Sequence, residues 1–221
     1  MRFIYGWKEP MSALTHFIGL ILVIPCVIIL ICSSAMDAGA RYVVSFSIFG
    51  AAIILLYFAS TVYHMLNVGE RLGRLLKRFD HMMIFVLIAG TYTPVCLVCL
   101  KGAWGYTLLS IIWALALCGI VLKAVWINVP RVLSTVIYVA MGWLVLVAFY
   151  PLCRNVPLQG IALLALGGII YTIGAFIYST KPQQLHSGLF GFHEVFHLFV
   201  MGGSFCHLLF MFRYVLIPGL I

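Results

Sequence analysis

The sequence predicts an all-α integral membrane protein, a bundle of seven transmembrane helices with a cytoplasmic N-terminus and the C-terminus outside. Composition is the first reason: of 221 residues, 65% are hydrophobic and only 8% are charged. A soluble domain is typically about half apolar and a quarter charged. The second reason is that the apolar residues form long runs, and a helix needs about 20 such residues to cross a bilayer. The third is the distribution of lysine and arginine between the linkers, which predicts the orientation.

Seven apolar stretches follow one another along the chain. The first and third contain Pro25 and Pro94, which a membrane helix tolerates as kinks. The sixth and seventh contain the small pairs Gly167-Gly168 and Gly202-Gly203, which allow close helix packing. No separate soluble domain fits between them, so residues 1–221 are predicted to form a single domain. The predicted helices cover residues 12–34, 42–66, 80–100, 104–124, 131–150, 158–179 and 190–217.

The linkers between these helices hold most of the charges and turn-forming residues, which marks them as the non-spanning parts. They cover residues 36–39, 67–79, 101–102, 128–130, 154–157 and 181–184.

Lysine and arginine residues are distributed unequally between the two sides of the predicted bundle. If the N-terminus is cytoplasmic, nine lie inside and four outside, the bias that membrane proteins show. This bias also accounts for the net charge of +8. No basic cluster lies on a soluble module, so nucleic acid is not an expected partner. The inner residues are Arg2, Lys8, Arg71, Arg74, Lys77, Arg78, Lys123, Arg131 and Lys181; the outer ones are Arg41, Lys101, Arg154 and Arg213.

Two polar motifs lie at the inner ends of the second and third helices, where ionisable groups are costly and raise functional hypotheses. Ser60 and His64 are four residues apart and share a helix face. Alone, a histidine such as His64 near a helix end is more often an interfacial residue than a functional one. Asp80 begins the third helix and equally fits an N-terminal cap. His81, which points about 100° away from Asp80, is left without a role.

A third motif, His193-Glu194-Val195-Phe196-His197, begins the seventh helix. Two histidines at i and i+4 can bind one metal ion. The motif also matches the His-Glu-x-x-His pattern of zinc proteases, whose glutamate is the general base. Glu194 projects about 100° from the histidine pair, so Asp80 is the preferred candidate for a base. A five-residue match can arise by chance and does not supply a third ligand.

The predicted topology places His64, Asp80, His193 and His197 at the same cytoplasmic depth. Three imidazoles and one open position are typical of catalytic zinc, which lowers the pKa of its water to about 7. Asp80 could hold or deprotonate that water, and Ser60 could donate a hydrogen bond to it or to a substrate oxygen. The oxygen-rich ligand sets of calcium and magnesium sites are not available. The sequence therefore predicts a zinc site with Asp80 and Ser60 as catalytic candidates.

The other histidines are weaker candidates. His16 lies at a compatible depth and could support the ligands from behind. His207 lies ten residues beyond His197, so a hydrogen bond between helices is its expected role. His186 falls in a linker and fits a solvated residue.

At these motifs the sequence resembles the hemolysin III family, within the progestin and adipoQ receptor superfamily. The matches occur in order along nearly the whole chain. The resemblance implies a multi-pass protein of the cell membrane, the inner or plasma membrane in a bacterium, with seven helices and a cytoplasmic N-terminus. The matching segments are Glu9 to His16, Ser60 to His64, Phe79 to His81, Ala89 to Pro94, Ala140 to Trp143 and His193 to His207.

The resemblance also implies roles for individual residues. In the wider group, zinc is bound by three histidines at the positions of His64, His193 and His197. An aspartate at the position of Asp80 approaches the zinc-bound water, and a serine at that of Ser60 lies close by. The same residue types define a proposed superfamily of membrane hydrolases that includes alkaline ceramidases. The implied reaction is hydrolysis of a lipid amide.

Three functional hypotheses follow. The leading one is a zinc-dependent intramembrane hydrolase that acts on an amide or ester bond of a membrane lipid. The second is a channel-forming or cytolytic protein, which the hemolysin name supports, although the outer halves of the helices lack the polar lining of a pore. The third is a non-catalytic sensor stabilised by zinc, for which a site closed by four protein ligands would be expected.

Overall fold

A computed structural model describes residues 6–100, 102–126, 129–185 and 190–216. Within these residues, seven helical spans are long and apolar enough to cross a membrane, which confirms the predicted number. The α-helices are α1 (Pro10–Asp37), α2 (Ala40–Met65), α3 (Glu70–Pro94), α4 (Gly102–Val125), α5 (Arg131–Trp143), α6 (Phe149–Asn155), α7 (Leu158–Thr180) and α8 (Phe192–Phe210). A π-helical segment, Val95–Leu100, extends α3, and another, Met211–Leu216, extends α8. The 3-10 segment Leu144–Ala148 joins α5 to α6 within the fifth span, and Gln183–Leu185 is a short 3-10 turn.

The third helix begins about ten residues earlier than predicted, because its first turns are charged and were assigned to a linker. Residues 70–79 are nevertheless helical, and Arg74 pairs with Glu70 one turn away, an arrangement that stabilises helices. Asp80 therefore lies inside α3, and the alternative that it caps the helix is wrong. A search for continuous apolar runs cannot detect a charged helical extension of this kind.

The π-helical and 3-10 segments occur where a side chain can form hydrogen bonds with backbone groups that the helix leaves unpaired. Pro94 has no N–H to continue the ladder of α3, and the π-helical segment follows directly. Two residues before Pro94, the Tyr92 hydroxyl donates to the carbonyl oxygens of Met141 and Gly142, 2.9 and 2.8 Å away. It also accepts the N–H of Val145 at 2.8 Å. Internal partners of this kind are required where a helix changes form within a membrane.

The second and third spans form the centre of the bundle. In their most apolar windows, 56% and 72% of the residues are buried, against 17% in the sixth span. Glycines allow the helices to approach each other closely. A Cβ added at Gly90 would lie 2.4 Å from the Cβ of Ala52, and one added at Gly50 would lie 2.3 Å from a methyl group of Val27. Helix α2 is thus held tightly between α1 and α3.

One end of the bundle, which we call the site end, gathers the starts of α1, α3, α5 and α8 and the ends of α2, α4 and α7. The backbone N–H of Glu9 donates to the carbonyl of His64 at 2.9 Å, and that of Lys8 to the carbonyl of Met65 at 3.3 Å. These bonds join the residues before α1 to the last turn of α2. The cytoplasmic placement of this end stays a prediction from charge.

Candidate metal centre

Three histidines from two helices meet at the site end. His64 is in the last turn of α2, and His193 and His197 are one turn apart at the start of α8, so they share a face. One ring nitrogen from each lies within 4.8 Å of the other two. The Nε2 atoms of His64 and His193 are 3.2 Å apart. The residues predicted as ligands therefore do come together in a group that could hold a metal ion.

The spacing of these nitrogens fits a zinc ion. Zinc–nitrogen bonds are about 2.0–2.1 Å long, so two ligands at a tetrahedral angle lie about 3.3 Å apart. The Nε2 atoms of His64 and His193 are 3.2 Å apart. Two lone pairs at this distance repel each other unless a proton or a cation lies between or beside them. A neutral imidazole that is protonated on its far nitrogen is the form that binds a metal.

His64 is held in that form by Glu9. Its Nδ1 is hydrogen-bonded to a carboxylate oxygen of Glu9, which as an acceptor leaves the His64 Nε2 lone pair facing the other histidines. The hydrogen bond from His64, aided by the positive charge of Lys8, lowers the pKa of Glu9 to about 2 despite the opposing effect of burial. Glu9 is therefore a carboxylate at any physiological pH.

His197 is held in the same tautomer by α1. Its Nδ1 lies 3.1 Å from the carbonyl oxygen of Ser12 and 3.0 Å from the hydroxyl oxygen of Thr15. Because a carbonyl oxygen can only accept, Nδ1 carries the proton and Nε2 is free for an ion. On its other side His197 stacks on His16, with ring centroids 3.6 Å apart and planes 9° apart. Both ring nitrogens of His16 are buried without a hydrogen-bond partner among the described residues.

Glu194, the alternative base, is engaged in fixing the start of α8. One carboxylate oxygen accepts the N–H of Gly191 at 2.8 Å, which caps the helix. The other accepts the hydroxyl of Ser12. Glu194 therefore ties α8 to α1, and this agrees with the preference for Asp80 as the base candidate.

Asp80 and Ser60 line a cavity of about 530 Å³ together with His193 and His197. Both are buried, and the Ser60 hydroxyl interacts with the Asp80 carboxyl. His64 is within electrostatic range of Asp80 as well. Apolar side chains, together with several basic and tyrosine side chains, form the remainder of the wall. The cavity thus brings a carboxyl group, a hydroxyl group and two of the candidate ligands to one space.

The remaining histidines have different surroundings. His81 lines the cavity, and its carbonyl accepts the hydroxyl of Tyr138 at 3.1 Å. His207 contacts the carbonyl of Gly203 in its own helix at 2.8 Å, so the hydrogen bond expected between helices is instead found within α8. His16 supports the ring of His197, as expected for a residue behind the ligands. His186 lies outside the described residues.

Sequence reasoning missed three residues that hold the ligands: Glu9, Ser12 and Thr15. They belong to a matching segment, but no role was assigned to them. A usable signal was present, because Ser12 and Thr15 are three residues apart at the end of an otherwise apolar helix and therefore share a face. Polar residues on one face of a membrane helix indicate a polar interior partner. Nothing local to Glu9 indicates that it bonds to a histidine on α2.

The fold and the site together define a seven-helix membrane protein with a buried three-histidine group that could hold a metal ion. Residues 5–208 match the model of the Haemolysin-III related family, and the chain belongs to that family. It is 43% identical over 197 residues to the hemolysin-3 homolog of Bacillus subtilis (strain 168), with 89% of each chain covered. It is 41% identical to hemolysin-3 of Bacillus cereus, covering 89% of this chain and 87% of the relative. A more distant relative, the human monocyte to macrophage differentiation factor, is 24% identical over 76% of this chain and 69% of its own.

Proposed function

We propose that the protein is a zinc-dependent intramembrane hydrolase of an amide or ester bond in a membrane lipid. The observation that carries the proposal is the 3.2 Å separation of the His64 and His193 Nε2 atoms, beside His197 and next to a cavity that Asp80 lines. Three imidazoles with no fourth ligand among the described residues favour a catalytic over a structural zinc site.

Each polar residue has a task in this reaction. When bound, zinc supplies a water of lowered pKa and polarises the substrate carbonyl. Asp80 accepts the proton of the attacking water and returns it to the nitrogen or oxygen that leaves. Ser60 orients the Asp80 carboxyl through their side-chain contact. Glu9 keeps the ring of His64 in the metal-binding tautomer.

The cavity supports a lipid as the substrate. It lies among helices that are long and apolar enough to span a bilayer, and its wall includes Leu56, Ile84, Leu87, Ile88 and Val200. An acyl chain placed against these side chains would leave a bond near its polar end beside the histidines. The Bacillus relatives and the charge bias support a bacterial plasma membrane, with the site end toward the cytoplasm.

The first test measures metal by mass spectrometry in the detergent-purified protein, beside His64→Ala and the double variant His193→Ala/His197→Ala. We expect about one zinc per chain in the wild type and none in either variant. The second part follows hydrolysis of labelled ceramides and glycerolipids by the zinc-loaded protein. Asp80→Asn should abolish turnover and keep the zinc, whereas Glu70→Gln, an exposed carboxylate on the same helix, should change neither. Full turnover in Asp80→Asn would refute the assigned mechanism.

A channel-forming or cytolytic function has one observation in its favour, the name hemolysin-3 of the Bacillus cereus relative. Liposomes that contain the purified protein distinguish this function from hydrolysis. Leakage of a trapped dye that persists in Asp80→Asn would favour the cytolytic function, and tight liposomes would count against it. A zinc-stabilised sensor would instead show a fourth protein ligand on the metal and no turnover.

A further inference from the structure

Part of the cavity wall is strongly basic. Lys77 and Arg78 of α3, Lys123 of α4 and Arg131 of α5 all line the cavity, and we call these four residues the basic wall. We propose that the basic wall binds an anionic headgroup, a phosphate, sulfate or carboxylate, on the lipid that the protein hydrolyses. This inference rests on the proposed function and adds the substrate class to it.

The burial of Lys123 is the main argument for a bound anion, because topology alone does not explain it. Cytoplasmic loops are expected to carry lysine, but there the ammonium group normally lies in water. The side chain of Lys123 is only 7% exposed, and its hydrogen-bond partner is the neutral hydroxyl of Ser134, 2.5 Å away. A buried ammonium without a counter-ion is costly. An anion bound in the cavity would provide the missing charge.

No carboxylate of the described chain neutralises the basic wall. The ion pairs among the described residues join Glu9 to Lys8 and His64, and Glu70 to Arg74. Asp80 is the carboxylate that lines the cavity, and among the described residues no ion pair joins it to the basic wall. Lys77 and Lys123 line the same cavity, so their like charges repel each other until an anion binds.

Two arginines add donors with fixed positions. The Nε of Arg78 is buried without a hydrogen-bond partner among the described residues, although buried donors are normally satisfied. The guanidinium of Arg131 lies 4.7 Å from the ring centroid of Tyr178 and donates to the Tyr178 carbonyl at 3.4 Å. These contacts hold Arg131 at the cavity and leave further donors for a ligand, since a guanidinium has five N–H groups.

The basic wall and the histidines are close enough to act on one molecule. His193 and the basic wall line one cavity, and the guanidinium of Arg131 lies 5.9 Å from the ring centroid of Phe192, the chain neighbour of His193. A lipid whose headgroup meets the basic wall would therefore present the amide or ester bonds nearest its headgroup to the metal centre. A neutral lipid such as ceramide would leave Lys123 unpaired and should bind less tightly.

The test measures lipid binding to the full chain in neutral detergent by native mass spectrometry, without use of turnover. The probes are dihexanoyl phosphatidic acid, uncharged dihexanoylglycerol and inorganic phosphate. Lys123→Gln and Arg78→Gln should each weaken phosphatidic acid binding by about tenfold or more, and Lys123→Arg should restore it. Dihexanoylglycerol binding should not change. Arg71→Gln is the matched control, because Arg71 is an exposed cation on α3 that does not line the cavity.

Equal affinity for phosphatidic acid in the wild type, Lys123→Gln and Arg78→Gln would overturn the proposal. Arg78→Gln keeps the test decisive if the loss of buried Lys123 prevents folding. Competition by inorganic phosphate that is lost in Lys123→Gln would support the anion site and identify a soluble phosphate as a ligand. Binding of the lipid alone would support the site and identify a headgroup. A protein without zinc or turnover that still binds anions through Lys123 would refute only the hydrolase.

Discussion

The two sides of the cavity at the site end differ in how completely the chain provides hydrogen-bond and charge partners for their polar side chains. On the histidine side, built from α1, α2 and α8, the outward nitrogens of His64 and His197 have acceptors in Glu9 and Ser12. On the basic wall, built from α3, α4 and α5, the hydrogen-bond partner of buried Lys123 among the described residues is the neutral hydroxyl of Ser134. The comparison teaches that the histidine side is preorganised for a cation by the chain itself, whereas the basic wall is complete only with an anion from outside.

The scarcity of acidic residues explains the difference. The chain has 5 Asp and Glu against 13 Lys and Arg. Glu9 and Glu194 both serve the histidine side, where one orients His64 and the other caps α8. Glu70 is exposed and paired with Arg74. Few carboxylates are therefore left to pair with the basic wall.

Among the tests of this comparison, the largest effect is expected from Glu9→Ala, which should lower zinc affinity. Glu9→Ala removes the acceptor of the His64 Nδ1 proton, so the ring loses both its orientation and its fixed tautomer. Loss of such an outer partner weakens metal affinity by about 10–100-fold. Zinc affinity is measured by competition with a chromophoric chelator in detergent.

The control for Glu9→Ala is Glu70→Ala, which removes a carboxylate at the same end of the bundle without touching a histidine. Zinc affinity in Glu70→Ala should equal that of the wild type. If Glu9→Ala also binds zinc as tightly as the wild type, the histidine side is not preorganised by its acceptors, and its contrast with the basic wall disappears.

Much of the fold could be predicted, because the composition and length of an apolar run indicate by themselves whether it forms a membrane-spanning helix. The seven spans follow from composition, and the gathering of His64, His193 and His197 follows from alternation of helix direction. The start of α3 could not be predicted from apolar runs, because residues 70–79 are charged and their helix depends on i to i+4 pairing and on continuity with the buried part. That error also led to the alternative that Asp80 is a cap.

The second test concerns packing, which differs between the centre of the bundle and the start of α3 at the site end. Gly90→Ala places a methyl group 2.4 Å from Ala52 Cβ on α2, and overpacking of this kind costs about 1–3 kcal/mol. Gly73, on the same helix near the basic wall, has nothing within 4 Å of an added Cβ. Gly73→Ala should therefore stabilise the helix by about 0.5–1 kcal/mol.

Thermal unfolding in detergent measures both glycine variants. We expect a lower midpoint for Gly90→Ala and an equal or higher midpoint for Gly73→Ala. Two equal decreases would mean that α3 is packed equally tightly along its length, and would contradict the picture of a tight centre with a more open basic wall.

The site was predictable where residues lie on one helix and unpredictable where contacts cross between helices. His193 and His197 are related by a fixed spacing of four residues, so their shared face can be derived from the sequence. The pairing of Glu9 with His64 joins residues far apart in the chain and depends on how α1 enters beside the last turn of α2. The burial of Lys123 depends in the same way on how α4 packs against α5.

The smallest effect, and the finest test of the histidine side, is expected from Thr15→Val. This change removes the hydroxyl 3.0 Å from His197 Nδ1 and keeps the shape of the side chain. The Ser12 carbonyl, 3.1 Å away, remains as an acceptor for the same proton. We therefore expect zinc affinity to fall by less than about tenfold, below the effect of losing a sole acceptor. Thr61→Val is the matched control. In the described part of the chain the Thr61 hydroxyl donates to the Tyr57 carbonyl of its own helix, so its loss should leave zinc affinity unchanged. A loss in Thr15→Val as large as that in Glu9→Ala would mean that the hydroxyl, and not the carbonyl, fixes the tautomer of His197.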